Sequence, residues 1–485
     1  MTISPTNLAS VLSMIAPSVQ AAPEMRIRLN AGMMIDIPSG FYHKNPDGRY
    51  ILNGGVHVTL GIAGLPNTFK STFMMTLTAR VADRLLQNGC PTQITTYDTE
   101  TTLERDRLQA LINSLPTLAA YDPFKSGIWV LTTKIEQDGT AWWALVRSAL
   151  QAKIKNAKKL MVKTPYILST GERLEVITPT FNHLDSITTF RGKDVEDIDA
   201  KTDIGDSKGL MIYMKSGLGK ARLLNMLSTL AEQANGFFMS SAHVGETAAE
   251  ISPGNPYAQP DKKIPTMKAN QRYKGVTDNF FSLMAGIWQT HKVKPLYVDK
   301  KPMYPKDADD NRDLDTDLQI VSIQLMRSKS SGDGIMIELI ISKTEGFLSE
   351  LSEFHYIKSN DKFGLVGNDQ NYVCALYPEV KLSRTKIRSK LSDPKLCRAI
   401  NICSEMLQIY THRKHKNPAM KMDPEVLYTR LKDKGYSWDK ILTSRGWHSL
   451  GEPPAGVITV TTMDLLAIAI DELDLPELKE KIDAA

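Results

Sequence analysis

The chain has 485 residues, of which 42% are hydrophobic and 23% charged, and this composition excludes a disordered or fibrous protein. Its length exceeds that of one typical core, so two domains, or one domain with appendages, are expected. The formal net charge of +5 permits a nucleic-acid partner but does not indicate one, because binding depends on where the charge lies.

The sequence shows no sign of a membrane segment or of an oxidising compartment. No apolar run is long enough to span a bilayer, and residues 1–22 lack the basic start and continuous apolar stretch of a secretory signal. The four cysteines lack C-x-x-C spacing, so neither a zinc site nor a disulfide framework is expected. These features predict a protein of a reducing cytoplasm.

The N-terminal part of the chain precedes the regular pattern. Residues 1–29 are mostly polar and indicate either a docked tail or an arm that packs on a neighbouring subunit. Residues 30–55 predict short strands joined by tight turns, with turn signals at 38–40, 45–48 and 53–55.

From residue 60 the pattern alternates between strands and helices, which is typical of a parallel sheet. Apolar and β-branched runs predict strands at 56–60, 93–100, 127–132, 174–186, 236–243, 279–290, 318–325 and 335–341. Beyond about residue 382 the chain is helical and basic. We therefore predict an α/β core over residues 30–375, with a mostly parallel central sheet, and a helical, basic C-terminal domain over residues 376–485.

One loop between a predicted strand and a predicted helix carries a phosphate-binding pattern. From Gly64 to Ser71 the sequence matches the P-loop pattern G-x-x-x-x-G-K-[ST], except that Phe69 replaces the second glycine. Lys70 would reach the β- and γ-phosphates, and Ser71 would bind Mg²⁺. An ordinary strand-to-helix turn is the alternative. We expect Phe69 to adopt a right-handed conformation with its ring packed beneath the loop.

Three polar residues at the ends of other predicted strands suit the same chemistry. Glu100 could orient and deprotonate an attacking water, Asp185 could hold Mg²⁺ through water, and His243 could sense the γ-phosphate. For each of them the alternative is a structural or surface role. Together with the P-loop, they follow one another in an order that suits triphosphate hydrolysis.

In this order the motifs resemble those of the RecA-type recombinase superfamily, and most closely those of its UvsX-like phage branch. The resemblance covers about residues 30–370. It rests on Asn53-Gly-Gly55, Thr68-Phe-Lys-Ser71, Tyr97-Asp-Thr-Glu100, Asp185-Ser186, Ala242-His243 and Arg327-Ser-Lys329, the last with its two basic residues in swapped order. The chain departs from that family in a longer, proline-rich segment at 244–278 and in apparent insertions near 151–175 and 291–317.

The resemblance implies a RecA-like P-loop ATPase core that binds ATP and Mg²⁺ between neighbouring subunits of a helical filament. Arg327 and Lys329 would reach the γ-phosphate of the adjacent subunit and act in catalysis with Lys70 and Glu100. A solvated hairpin pair is the alternative. The implied nucleotide-binding residues are Gly64, Asn67, Thr68, Phe69, Lys70, Ser71, Thr72, Asp185 and His243, with Ser71 and Asp185 as metal ligands.

The resemblance also implies two DNA-binding loops, near 190–219 and 244–278. Their lysine and arginine side chains would contact phosphates, and Tyr273 could stack on bases or wedge between them. A solvated lid is the alternative for the second loop. The residues concerned are Arg191, Lys193, Lys262, Lys263, Lys268, Arg272, Tyr273 and Lys274.

The implied function is that of an ATP-dependent recombinase that forms filaments on single-stranded DNA, pairs with duplex DNA and hydrolyses ATP at subunit interfaces. It would act in the host cytoplasm if the chain is phage-encoded, with single-strand-binding and mediator proteins as candidate partners. The alternatives are a replicative helicase that forms hexameric rings and a non-catalytic DNA-binding filament protein. The 97–100 strand end argues against the last, and Phe69 favours the recombinase over the helicase by analogy.

Overall fold

The computed structural model describes residues 25–202, 209–246, 262–268, 271–307, 309–310, 312–313, 316–329, 332–368 and 370–480. Most of the N-terminal arm expected at 1–29 therefore lies outside the described residues. Within them, a large sheet is covered by helices on both faces and is followed by a helical C-terminal region. None of the described helices combines the length and apolarity needed to cross a bilayer.

Strands and helices are numbered in chain order. The described strands are β1 (Phe41–Lys44), β2 (Tyr50–Asn53), β3 (Thr59–Gly64), β4 (Ile94–Asp98), β5 (Trp129–Thr133), β6 (Met161–Ile167), β7 (Arg173–Ile177), β8 (Thr180–Asp185), β9 (Gly236–Glu246), β10 (Gln271–Tyr273), β11 (Gly286–Pro295), β12 (Tyr297–Val298), β13 (Lys301–Pro302), β14 (Leu318–Ser328), β15 (Met336–Ser342), β16 (Gly346–Phe347), β17 (Leu365–Gly367), β18 (Tyr372–Cys374) and β19 (Tyr377–Leu382). The described α-helices are α1 (Asp36–Ser39), α2 (Lys70–Gln87), α3 (Arg105–Asn113), α4 (Pro116–Ala120), α5 (Gly139–Lys155), α6 (Lys193–Asp199), α7 (Gly209–Ala234), α8 (Asp278–Leu283), α9 (Ser349–Ser359), α10 (Ile387–Lys390), α11 (Pro394–Thr411), α12 (Pro424–Asp433), α13 (Trp438–Thr443) and α14 (Thr462–Ala469). Short 3₁₀ helices are found at Ala157–Lys159, Pro418–Met420 and Pro476–Leu478.

The central sheet has the strand order β16-β15-β14-β11-β3-β9-β8-β4-β5, and β10 pairs with the end of β9. The strands from β11 to β5 are parallel to one another. Strand β10 and the β14–β16 edge are antiparallel. The prediction of an α/β fold with a mostly parallel central sheet is confirmed.

Alternating side chains along the strands fill a hydrophobic core on each face of the sheet. In β9, Phe237 and Met239 belong to the same core as Phe73 of α2, whereas Phe238 belongs to the core that contains Trp142 of α5. Strand β3 is buried along its whole length, as expected for a parallel strand covered on both faces.

The register brings the ends of four parallel strands to one edge of the sheet. Gly64 at the end of β3 is level with His243 of β9, and Asp98 at the end of β4 is level with Asp185 of β8. The loops that follow these strands therefore meet at the carboxyl edge, where ligands bind in open α/β sheets.

The C-terminal helices share a second core with the antiparallel edge of the sheet. Ile402 of α11 and Leu465 of α14 belong to the same buried cluster as Phe354 of α9 and Ile340 of β15. In the basic segment at 411–416, the Lys414 ammonium donates to backbone carbonyls near β1. The C-terminal region is therefore packed directly on the sheet.

The segment expected to form a loop at 190–219 is mostly helical, which corrects that expectation. Helix α6 and the start of α7 cover most of it, and residues 203–208 lie outside the described residues. Val195 of α6 is buried, as is Leu223 further along α7. Burial of such apolar side chains stabilises these helices. Their apolar period was hard to recognise in the sequence because the segment contains many charged residues.

Candidate active site

The loop that carries the predicted phosphate-binding pattern runs from the end of β3 at Gly64 to the start of α2 at Lys70. A side chain at Gly64 would collide with the Thr290 hydroxyl, so the loop can leave the sheet only through glycine. The Thr68 hydroxyl contacts Thr290 Oγ1 at 2.6 Å and donates to the Leu65 carbonyl at 2.7 Å. Helix α2 then begins at Lys70, with its N-terminal N–H groups at the end of the loop.

Phe69 corrects the expectation of a right-handed conformation, because its φ is 61° and its ψ is 27°. It therefore takes the left-handed conformation that glycine would supply at this position. Asn67 is left-handed as well, with φ of 59°. When left-handed and right-handed backbone conformations alternate, successive N–H groups point into a concavity that suits an anion. The Phe69 ring is half-buried and packs against the main core, with the Arg107 guanidinium 5.8 Å from its centroid.

Lys70 points back over the loop. Its Nζ donates to the Leu65 carbonyl at 3.0 Å, and the residue is only 7% exposed. Burial lowers the pKa of Lys70, and the carboxylates of Asp185 and Glu100 oppose that shift. The ammonium thus lies between the loop and two carboxylates, where a phosphate can replace the carbonyl as its partner.

Glu100 is held at the end of β4 by hydrogen bonds from two sides. Its Oε1 accepts from Ser186 Oγ at 2.5 Å and lies 2.7 Å from His243 Nε2. The hydrogen bond with His243 lowers the pKa of Glu100, burial opposes this effect, and the Ser186 hydrogen bond adds to it. Asp98 fixes the turn by accepting from the backbone N–H groups of Glu100 and Leu103. Glu100 Oε2 has no hydrogen-bond partner among the described residues, so this oxygen can accept a proton from water.

Asp185 and Ser71 fit a magnesium site. Asp185 is buried, and its Oδ1 accepts from the Ser241 hydroxyl. Its Oδ2 is buried without a hydrogen-bond partner among the described residues. Burial raises the pKa of Asp185, and the Ser241 and Ser71 hydroxyls oppose that rise. No cluster of three or more His, Cys, Asp or Glu side chains suited to a metal occurs in the described residues, but Mg²⁺ needs only one or two protein oxygens beside phosphate.

A cleft of about 690 Å³, within the range of small-molecule sites, is lined by Lys70, Ser71, Glu100 and His243. Asp185 is buried and is not part of this lining. The floor of the cleft is the P-loop, and one wall is formed by apolar residues of α3 and the preceding turn: Leu103, Leu108 and Leu111. Sequence reasoning missed Arg107, Lys343 and Thr344, which also line the cleft. Their only signal in the sequence was position, because Arg107 lies in the first turn of the helix after the Glu100 strand end and Lys343 directly follows β15.

The structure does not bring Arg327 and Lys329 to this cleft. Strand β14 runs antiparallel to the parallel strands, and its end, Ser328, is paired with Gly286, which is level with Leu60 near the start of β3. The two cations therefore lie towards the amino edge of the sheet, away from the P-loop. Burial and the nearby guanidinium groups of Arg26 and Arg327 lower the pKa of Lys329.

Most of the cations expected to bind DNA are exposed. Lys193, Lys262, Lys263, Lys268, Arg272 and Lys274 are on the surface, and Arg191 is partly buried. Two of the set form ion pairs: Arg191 with Asp199, and Lys263 with Asp278 at 3.1 Å. Residues 247–261 and 269–270 of the second expected loop lie outside the described residues.

Tyr273 corrects the expectation that it stacks on bases. It is only 4% exposed, lies in β10 against the end of β9, and its hydroxyl donates to Gln289 Oε1 at 2.9 Å. Its ring packs on Phe280 and Phe281. Tyr273 thus anchors the second segment to the core, while Arg272 in the same short strand and Lys274 just after it are exposed.

No protein-family model and no curated protein matches the sequence. The function of the cleft therefore has to be inferred from its residues and from their positions on the sheet.

Proposed function

We propose that the protein is a DNA-dependent ATPase of RecA-like type, a recombinase that forms filaments on single-stranded DNA. One observation carries the proposal: Lys70, Glu100 and His243 line one cleft at the carboxyl edge of the parallel strands. Asp185 is buried at the end of β8 on the same edge, where its charge acts on Lys70. A phosphate-binding loop, a metal-binding pair and a general base are the parts that triphosphate hydrolysis requires.

The phosphate end of the cleft binds and neutralises charge. N–H groups of the P-loop and the Lys70 ammonium would contact the phosphates. Ser71 and Asp185 would hold Mg²⁺, which neutralises phosphate charge when bound. The unpartnered Asp185 Oδ2 supplies an oxygen for this purpose.

Glu100 is the candidate general base. Its carboxylate stays ionised because the His243 hydrogen bond lowers its pKa. Ser186 and His243 both bind Oε1 and fix the carboxylate, which leaves Oε2 to orient a water and accept its proton.

The same histidine connects the cleft to the candidate DNA-binding segment. The His243 backbone N–H donates to Thr188 Oγ1 at 3.0 Å, and its carbonyl accepts from the Lys274 N–H at 2.7 Å. A movement of His243 as the γ-phosphate binds or leaves would therefore be transmitted to β10 and its cations. This route accounts for a dependence of hydrolysis on DNA.

The positions of Arg327 and Lys329 support catalysis between subunits. Both lie away from their own cleft, so they can reach a phosphate only in another copy of the chain. An assembly in which one copy's amino edge faces the next copy's cleft is head-to-tail, and it forms either an open helix or a closed ring.

The first test is ATP hydrolysis by the purified protein with and without single-stranded DNA. We expect stimulation by DNA, and a lack of stimulation would contradict the recombinase proposal. Arg272→Ala with Lys274→Ala should reduce stimulation while leaving DNA-independent hydrolysis unchanged. Lys155→Ala with Lys158→Ala removes two exposed charges elsewhere and is the matched control.

The second test is electron microscopy with single-stranded DNA and a slowly hydrolysed ATP analogue. Open helical filaments are expected of a recombinase. Closed six-membered rings would instead identify a helicase.

A further inference from the structure

A second cavity, of about 420 Å³, lies between the sheet domain and the C-terminal helices. Helices α2 and α9 and the segment before α1 line one side, and α11 with residues 442–448 lines the other. It shares no residue with the nucleotide cleft. Exposed Pro394 and Thr443 are part of its lining, so it opens to solvent there.

Three arginines on this cavity form no ion pair with any described carboxylate. Their hydrogen-bond acceptors are neutral: the Asn30 carbonyl at 3.4 Å for Arg84, Asn401 Oδ1 at 2.6 Å and the Val460 carbonyl at 2.8 Å for Arg398, and Asn88 Oδ1 at 2.7 Å for Arg445. Arg398 is only 7% exposed. Buried cations are normally paired, so these three arginines lack the direct carboxylate contact expected of them.

The carboxyl groups that line the cavity offset the charge of the arginines only in part. Burial lowers the pKa of Arg84 to about 10, and the charges of Asp36 and Glu405 oppose that shift without forming an ion pair with Arg84. Glu350 pairs with Arg80 at 3.3 Å, and Asp36 accepts hydrogen bonds from three backbone N–H groups. Burial raises the pKa of Glu353 to about 8, so this group is mostly protonated at neutral pH. Glu405 accepts from a threonine hydroxyl and remains the one further carboxylate on the described lining. Cationic groups therefore exceed ionised carboxylates in the cavity.

Trp447 orders two of the arginines. The guanidinium carbons of Arg84 and Arg445 lie 4.2 and 4.3 Å from its ring centroid. Stacking uses the faces of the guanidinium groups and leaves in-plane N–H donors for a ligand. Arg398 Nε and Gln408 Oε1, both in buried residues on the lining, have no hydrogen-bond partner among the described residues. The cavity thus has unused polar groups as well as unpaired charge.

We propose that this cavity binds a small anion, a molecule with a phosphate or carboxylate group, between the sheet domain and the C-terminal helices. Guanidinium groups match both anions through paired hydrogen bonds. Arg84 lies in the last turn of α2, the helix that begins at Lys70. An anion held by Arg84, Arg398 and Arg445 would therefore connect the C-terminal helices to the helix that carries the P-loop.

The test is calorimetric titration of the full-length Lys70→Ala variant, in which loss of the ammonium weakens competition for phosphate by the P-loop. Inorganic phosphate and succinate serve as the two probes. Saturable binding of phosphate alone supports a phosphate-bearing ligand, binding of succinate alone supports a carboxylate-bearing one, and binding of both supports the shared anion site. Binding of neither would overturn the proposal, whether or not the wild-type protein hydrolyses ATP.

Charge variants in the same background locate the site. Arg84→Gln should weaken binding about tenfold through loss of a charged hydrogen-bond donor. Glu405→Gln should tighten it, a result that misfolding cannot produce. Arg147→Gln, at an exposed position that does not line the cavity, should leave it unchanged. Unchanged binding in both Arg84→Gln and Glu405→Gln would overturn the assignment.

Discussion

Replacing Phe69 by alanine and by glycine separates two opposed effects at the P-loop. A left-handed conformation costs a residue with a side chain about 1–2 kcal/mol, and alanine would retain that cost. Loss of a fully buried phenyl ring costs about 3–5 kcal/mol, so the half-buried ring of Phe69 should account for about 2 kcal/mol in either variant. Glycine relieves the left-handed strain but loses about 0.5–1 kcal/mol through the entropy of the unfolded chain. Phe69→Gly should therefore be more stable than Phe69→Ala by about 0.5–1 kcal/mol.

The assay is urea denaturation of both variants, compared by midpoint at constant slope so that the difference reports stability. Arg147 in the exposed interior of α5 is the control, because there glycine should be less stable than alanine by about 0.5–1 kcal/mol. If glycine is more stable than alanine at position 69 and less stable at position 147, the backbone at position 69 is left-handed. If alanine is the more stable residue at position 69, the left-handed assignment fails and the right-handed conformation expected from sequence is restored.

Three further predictions concern turnover. Glu100→Gln should keep ATP binding and lower phosphate release by about 10²-fold or more; unchanged release would remove Glu100 from its role as base. Because the hydrogen bond with His243 lowers the pKa of Glu100, His243→Ala should raise that pKa and move the acid limb of the pH–rate profile to higher pH. An unchanged acid limb of the pH–rate profile would show that His243 does not control the pKa of Glu100. Arg327→Ala should be slow alone and Lys70→Ala inactive, and a mixture should recover faster hydrolysis, since one supplies an intact P-loop and the other an intact Arg327. A mixture no faster than Arg327→Ala alone would contradict action between subunits.

The strand-end residues were predictable because the pattern along the chain is local. Glu100 lies two residues after the end of β4, Asp185 ends β8, and His243 lies within β9. Parallel pairing then brings such ends together at one edge of the sheet. No single motif predicts this arrangement. The order of the motifs along the chain does.

The conformation of Phe69 could not be predicted because φ is set by how the loop closes. The sequence showed that position 69 lacks the expected glycine. The usual steric preference of a phenylalanine favoured a right-handed backbone conformation there. In the folded chain, the connection from Gly64 to α2 requires left-handed backbone at Asn67 and Phe69. Packing of the Phe69 ring against the core offsets the strain.

Tyr273 was misplaced for a different reason. A three-residue strand is too short to show a period of two, so the segment at 244–278 gave no sign that one face is buried. The extension of β9 beyond its neighbours creates the pairing edge that β10 uses. That edge depends on long-range contacts, and these are absent from any window of sequence.

The distribution of groups over the two edges of the sheet argues that hydrolysis depends on assembly. On the proposed function, each copy carries its candidate phosphate loop, general base and metal-binding oxygens at its carboxyl edge. Its candidate transition-state cations, Arg327 and Lys329, lie towards the other edge. If ATP is hydrolysed as proposed, transition-state charge at the γ-phosphate would be stabilised only when a second copy brings these cations to the cleft. In related chemistry such a cation contributes about 10³–10⁵ in rate. An isolated copy should therefore bind ATP and hydrolyse it slowly, and DNA should accelerate turnover chiefly by aligning copies head to tail.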